Sequence, residues 1–267
     1  MSEETETIGP SAARYRLTSS RPIPITHALL LTERVHKALV EHCCTSSTFT
    51  GCDSRRRPLK GHGHAYILCE SSPSEGQITH VTVYSSSGFF PEEQAALRRL
   101  ARVYGGEIPD ASLTLMALGP VGGPALGESP LLASSRRWVS SLPFLPARHP
   151  RFTRAGRARC DATGLQIDSP EHELRRLLRL AGFPELLAVE PVDGIWLGRG
   201  AGHPIWTGWS SFVRIRSDPA SAKRECRCRG GCGFRILFGE PVQGPLAIGY
   251  ASHFGMGSFV AEGDDGC

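Results

Sequence analysis

The stretch Leu59–Tyr84 reads "LKGHGHAYILCESSPSEGQITHVTVY". Two runs rich in β-branched, aromatic and aliphatic residues flank the turn signal "SPSEGQ", so the pattern predicts a β-hairpin. Side chains alternate across a strand. In the first run His62, His64, Tyr66 and Leu68 share one face, and Gly63, Ala65, Ile67 and Cys69 the other. In the second run Val81, Val83 and Ser85 oppose His80, Thr82 and Tyr84. Ala65, Ile67, Val81 and Val83 form the natural core set. His64, Tyr66, His80 and Tyr84 are then left on the far face.

The hairpin takes its place in a larger order. Upstream, "ARYRLTS" is a strand, and Thr26–His42 is an amphipathic helix with Leu30, Val35, Leu39 and Val40 near helical spacing and Thr26 as a candidate cap. Downstream, "PEEQAALRRLARVYGG" predicts a helix that opens at Pro91 and ends at Gly105, and "SLTLMALG" a closing strand. The sequence β-α-β-β-α-β is the ferredoxin-like, or RNA-recognition-motif-like, pattern. "PVGGPALGESP" (Pro120–Pro130) reads as a linker. Beyond it come a strand in "RRWVSSLPF", a capped helix in Ser169–Pro184 ended by Gly182, and further extended or short elements in "SSFVRIRS", "GFRILFG" and "GPLAIGY". No repeat is visible residue by residue, but an irregular second copy fits. The expected fold class is therefore α+β, with tandem ferredoxin-like domains. The expected organisation is a flexible acidic N-terminus (1–12), a first domain (13–120), a linker (121–134), a second domain with a glycine-rich loop (135–260) and an acidic tail (261–267).

Composition narrows the function classes. The chain has 267 residues, a hydrophobic fraction of 40% and a charged fraction of 21%, ordinary values for a soluble globular protein. The run "ALLL" (Ala28–Leu31) is far too short to span a bilayer. The opening "MSEETETIGP" is acidic where a signal peptide is basic, so a cytoplasmic location without a membrane partner is expected. Nine cysteines, an odd number, do not read as a secreted disulfide framework. The net charge is only +4, but the cations cluster in Arg55–Lys60, Ala147–Arg159 and Lys223–Arg235. Such islands are either polyanion contacts or solvated loops.

Metal chemistry is weakly indicated. His62 and His64 alone make two ligands, with no Asp, Glu or Cys at a recurrent spacing. Cys226, Cys228 and Cys232 form C-x-C-x3-C rather than the paired C-x2-C of structural zinc sites. No metal site and no cofactor is expected, and a zinc module would require about one equivalent of zinc in the purified protein. P-loop, nucleophile-elbow and dinucleotide-binding signatures are absent from the sequence. Two readings of the far face stay open. Flat rings on a sheet can stack unpaired bases, or the face can pack against the second half.

The C-terminal stretch "GPLAIGYASHFGMGSF" (Gly244–Phe259) places Gly249, Gly255 and Gly257 as G-x5-G-x-G. Glycines let a backbone approach a phosphate chain and expose its N–H donors. This stretch resembles the glycine-rich loop of the repeat-associated RNA-binding (RAMP) superfamily of CRISPR systems, whose members have tandem ferredoxin-like folds. "PLKGHGHAYIL", "ITHVTVYSSSGFFPEEQAAL", "WVSSLPFLPARHP", "HELRRLLRLAGFPE" and "GFRILFGEPVQGPLAIGYASHFGMGSF" resemble one branch in particular. That branch is the C-terminal, repeat-RNA-processing half of the fused type I-G (formerly I-U) protein. The resemblance covers most of Arg14–Val260; the insert around Cys226–Cys232 has no counterpart in it.

The resemblance implies an endoribonuclease that cuts precursor guide RNA without metal. The 2′-hydroxyl attacks the adjacent phosphate and leaves a 2′,3′-cyclic phosphate and a 5′-hydroxyl. The reaction needs a base, an acid and a cation near the phosphorane. Histidine suits the first two roles and lysine or arginine the third. The candidates are His62 and His64 with Lys60 as charge stabiliser, and His27 as the alternative. RNA contacts are expected from Arg55, Arg56, Arg57, Arg151, Arg154 and Arg157, from Tyr66, His80 and Tyr84, and from Gly249, His253, Gly255 and Gly257. The expected partners are CRISPR repeat or guide RNA and other effector subunits. A non-catalytic RNA-binding subunit is the alternative, because binding and catalytic histidines look alike in sequence.

Overall fold

The strands among the described residues build two five-stranded antiparallel sheets and a two-stranded hairpin. The structure is a computed structural model that describes residues 9–59, 63–72, 75–198, 204–216 and 231–263. The first unit runs β1 (Ala12–Ser19), α1 (Ala28–His42), a short α2 (Ser47–Thr50), β2 (Tyr66–Ser71), β3 (Ile78–Tyr84), α3 (Pro91–Arg99), β4 (Arg102–Val103) and β5 (Ala111–Gly119). Its sheet order is β2-β3-β1-β5-β4, the ferredoxin-like arrangement with one short strand added at the edge. Ala65, Ile67, Val81 and Val83 all lie in the helix-side core with Tyr15, Leu31, Val35 and Leu97, so the hairpin faces are as the alternation assigns them.

The second unit runs β6 (Ser134–Ser140), α4 (Pro170–Leu180), β7 (Leu186–Val192), a hairpin of β8 (Gly194–Leu197) and β9 (Ile205–Gly208), β10 (Gly233–Gln243), β11 (Leu246–Ala247) and β12 (Ser258–Ala261). Its sheet order β11-β12-β6-β10-β7 repeats the ferredoxin-like order. Between β10 and β12 the glycine-rich stretch stands where a second helix would run. The fold is thus α+β with two ferredoxin-like units, the second one irregular. No helix among the described residues is long and apolar enough to cross a membrane.

Two local expectations are corrected. Thr26 does not cap α1: its hydroxyl meets the His27 ring instead, 3.1 Å from Nδ1, and Ile25–His27 form a single 3-10 turn. The helix opened by Pro91 stops at Arg99 rather than Gly105, because Leu100 turns into extended backbone and Val103 is used as a buried edge-strand residue paired with Ala111. The "SSFVRIRS" stretch, expected as an extended or short element, opens as a short one. Trp209–Ser211 form a 3-10 turn, which puts Trp209 and Phe212 on one side, and both are buried. A strand would have sent them to opposite faces.

The two units meet over the far face of the first sheet. Leu68 and Ala12 are buried there with Leu126, Leu131 and Leu132 of the connecting segment and Ala247 of β11, and Tyr66 and Tyr84 are half-buried against them. The connecting segment is therefore packed. A buried ion pair fixes it: Arg14 donates to both carboxylate oxygens of Glu70 at 3.0 and 2.9 Å and to the Leu126 carbonyl at 3.1 Å. The Ser129 hydroxyl donates to Glu70 at 2.9 Å. Of the two readings of this face, packing against the second half holds at Leu68 and Ala12.

Candidate functional site

The loop that leads into β2 is held from below. Glu93 is buried, accepts the Phe90 amide at the start of α3 and takes a 2.6 Å hydrogen bond from the Ser46 hydroxyl. Ser46 in turn caps α2 by accepting from the Phe49 amide. The Ala65 amide donates to the Thr48 carbonyl at 2.7 Å, and Gly51, at φ +67, packs under the His64 ring. His64 thus stands at the entrance to β2 on a fixed backbone. Lys60 and His62 lie outside the described residues.

From the other side the glycine-rich turn closes onto this entrance. Ser252–Phe254 form a 3-10 turn between Ala251 and Gly255, both in the left-handed region. The turn aims its side chains in two directions. Phe254 faces α1: its carbonyl accepts from the Thr32 hydroxyl at 2.9 Å, its ring meets the His36 ring edge at 5.2 Å, and the Arg216 guanidinium sits 4.1 Å over it. His253 faces β2: its ring stacks on His64 with centroids 3.3 Å apart and meets Tyr66 at 4.1 Å, and its Nδ1 lies 3.2 Å from the Ala65 carbonyl. The fold therefore brings together His64 and His253, to which the sequence alone assigns separate roles.

The glycines serve this closure. The Gly255 and Gly257 amides donate to the Ser252 and Pro143 carbonyls, so these donors are already used inside the chain. A Cβ on Gly255 would come within 3.0 Å of the Ile67 carbonyl, and one on Gly249 within 2.8 Å of the Leu145 carbonyl. A Cβ on Gly257 would overlap the Ile248 carbonyl. The backbone these glycines approach is the protein's own; that accounts for their pattern without a phosphate.

The remaining candidates are spread out. His27 stands at the start of α1, where the neighbouring Thr26 carbonyl accepts from the Val213 amide. His80 sits half-exposed on the far face opposite Arg16, and burial first, then Arg14, lowers its pKa, with Glu70 opposing. Arg55, Arg56 and Arg57 are exposed on a turn wound around Asp53, whose carboxylate accepts from the Arg55 and Arg57 amides and pairs with the Arg57 side chain. Arg151 is bound to Asp168 at 2.6 Å and Arg148 to the same carboxylate at 3.3 Å. Burial pushes Asp168 up, but the two guanidiniums outweigh it and hold the carboxyl below its usual range. Arg154 and Arg157 are exposed on the adjoining ribbon.

Other concave surfaces carry matched charges. A cavity of about 600 Å³ beside α4 is lined by Arg175, Arg176 and Arg179, and each guanidinium is paired, with Glu171, Glu173 and Glu185 respectively. Among the described residues no cluster of three His, Cys, Asp or Glu side chains could hold a metal. Cys226 and Cys228 lie outside them.

No protein-family model matches the chain, and no curated protein does. Three solved structures align over nearly the whole chain at low identity. One described as a CRISPR associated protein Cas6 is 11% identical, with 95% of this chain and 99% of that one covered and a TM-score of 0.42. The product of a Cas6-related gene from Pyrococcus furiosus is 13% identical, with 96% and 100% covered and a TM-score of 0.46. An RAMP protein binding different RNA substrates is 13% identical, with 95% and 100% covered and a TM-score of 0.43. These identities and scores are too low to carry a function over to this chain.

Proposed function

We propose that the chain is a CRISPR repeat-RNA-processing endoribonuclease of the type I-G branch, with its reactive centre at the seam where His253 of the glycine-rich turn meets His64 of the β2 entrance. The observation that carries this reading is the 3.3 Å stacking of those two imidazoles, one from each unit. Both belong to the motifs G-H-x-H-A and S-H-F-G-x-G that bear the family resemblance. Two imidazoles can divide proton removal from the 2′-hydroxyl and proton delivery to the leaving 5′-oxygen. Lys60 and His62 adjoin His64 in sequence and are the further candidates for the stabilising cation and the second proton carrier. Arg55 and Arg56 would meet the RNA backbone. No step in this chemistry calls for a metal.

One observation favours a second reading, a non-catalytic RNA-binding subunit. His253 has a ring nitrogen 3.2 Å from the Ala65 carbonyl and contacts both His64 and Tyr66, the setting of a histidine that locks a seam. Incubating the purified chain with repeat RNA in EDTA separates the two. A 2′,3′-cyclic phosphate product supports the nuclease; a shifted but intact RNA band supports the binder.

A further inference from the structure

The ring ladder that begins at His64 does not end at Tyr66. Tyr66 and Tyr84 are cross-strand partners on β2 and β3, with ring centroids 6.1 Å apart and planes tilted by 43°. The two rings form a tilted aromatic pair and one wall of a cavity. Across from them lie Ala181 and Phe183, at the end of α4, and Pro245, Ala247 and Ile248, which lead into the glycine-rich turn. Ser86 completes a cavity of about 140 Å³ that opens to solvent between the two units. Its volume is well below the roughly 300–1,000 Å³ of sites that enclose drug-sized molecules. It suits a single flat ring system.

The lining has the chemistry of base recognition. Tyr66, Tyr84 and Phe183 offer aromatic faces, and the Ser86 and Tyr84 hydroxyls can each donate and accept. Burial pushes both phenols up, so they stay protonated throughout the neutral range. The lining contains no charged side chain, which disfavours a phosphate or a cation as occupant. Tyr66 is shared: one neighbour is the His253 ring at 4.1 Å, and the other is the cavity. We propose that this cavity receives one unpaired nucleobase of the bound RNA, next to the linkage held at His64 and His253.

The proposal rests on the RNA-processing reading and predicts where specificity would arise. A base splayed into this aromatic pocket fixes the register of the strand beside it, because its own sugar and phosphate must then lie along the ladder toward His253. The flanking phosphates would be held by cations elsewhere and would not report sequence.

The test is an abasic scan of repeat RNA, one position at a time, against the wild-type chain and Ala181→Trp. Ala181 is exposed, so tryptophan there plugs the cavity without removing any core atom. In wild type, one abasic position next to the cut should weaken binding by roughly 5–150-fold, the worth of one base stacked on aromatic side chains. In Ala181→Trp the same position should cost less than about twofold, with the melting temperature unchanged. Phe183→Ala is the second variant and should flatten the same position should tryptophan disturb folding. RNA that binds and is cut with an identical abasic profile in all three proteins overturns the pocket and leaves the nuclease intact. RNA that binds with the expected abasic position but is never cut supports the pocket and overturns the nuclease reading. Failure to bind repeat RNA at all overturns both.

Discussion

Gly255→Ala is the sharpest probe of the seam. Gly255 combines a left-handed backbone, φ +84, with a main-chain neighbour: a Cβ there would stand 3.0 Å from the Ile67 carbonyl, 3.6 Å from the Leu142 side chain and 3.7 Å from the Leu68 Cα. Gly105 is its natural control, at φ +89 with nothing within 4 Å of a Cβ. The conformational penalty, about 1–2 kcal/mol for a left-handed alanine, is common to both. Only Gly255 adds the steric part. Ile67 belongs to a strand paired along its length with β3, so its carbonyl cannot move alone. Overpacking of this kind costs about 1–3 kcal/mol. At about 2–4 °C per kcal/mol for a protein near this size, Gly255→Ala should melt roughly 2–12 °C below Gly105→Ala. The assay is thermal unfolding of wild type and both variants, with repeat-RNA affinity measured on the same samples below the transition. Equal melting temperatures for the two variants would refute the close approach to β2. A selective loss of RNA affinity in Gly255→Ala would return this glycine to a phosphate-binding role.

Glu70→Gln should cost about 3–5 kcal/mol in urea unfolding, since it leaves the Arg14 guanidinium buried without its counter-charge; a cost under about 1 kcal/mol would show that the pair is not desolvated. His36 has its pKa lowered by burial first and by Arg216, with a backbone hydrogen bond at Phe49 and Glu33 opposing, so the folded state binds the proton less readily than the unfolded chain. Its stabilising contribution should therefore be complete above about pH 6.5 and lost as pH falls toward the lowered folded value, and melting temperatures of His36→Gln across this range should lose that slope; an unchanged slope assigns it to other groups. Arg154→Ala/Arg157→Ala should flatten the salt dependence of RNA binding by about 0.7 in log–log slope for each phosphate left without its arginine and should not lower the melting temperature; an unchanged slope makes the ribbon a solvated loop.

The first unit was legible because its strands are half-buried. Ala65, Ile67, Val81 and Val83 alternate with polar and aromatic partners, and a turn signal separates the runs. Helix α1 was only half legible. Its face at Ala28, Leu31, Val35 and Leu39 packs on its own sheet, but Leu29 and Thr32 are buried too, under Phe254 of the distant glycine-rich turn. A second buried stripe blurs the period that a surface helix shows. The second unit was harder to read because its second helix is missing. In sequence the glycine pattern points to approach of a phosphate chain. Sequence does not say what is approached; in the fold Gly255 meets the Ile67 carbonyl of β2, Gly249 the Leu145 carbonyl and Gly257 the Ile248 carbonyl. Similarly, Arg151 looked like a free cation because Asp168, its partner, lies beyond an intervening ribbon. The stacking of His64 on His253 left no periodic trace, since it joins two loops far apart in the chain. Phe183 was visible only as the residue after a helix stop, with nothing to mark it as a cavity wall.

Single-turnover cleavage of repeat RNA in EDTA by wild type, His64→Ala, His253→Ala and His62→Ala, with affinities measured alongside, tests the assignment of the seam as the reactive centre. His64→Ala should lose about 10²-fold or more in rate with affinity within a few-fold of wild type, because a proton carrier contributes to the transition state and little to ground-state binding. His253→Ala should slow the reaction comparably. Wild-type rates in both His64→Ala and His253→Ala would contradict that assignment and move the chemistry away from the seam, to His27.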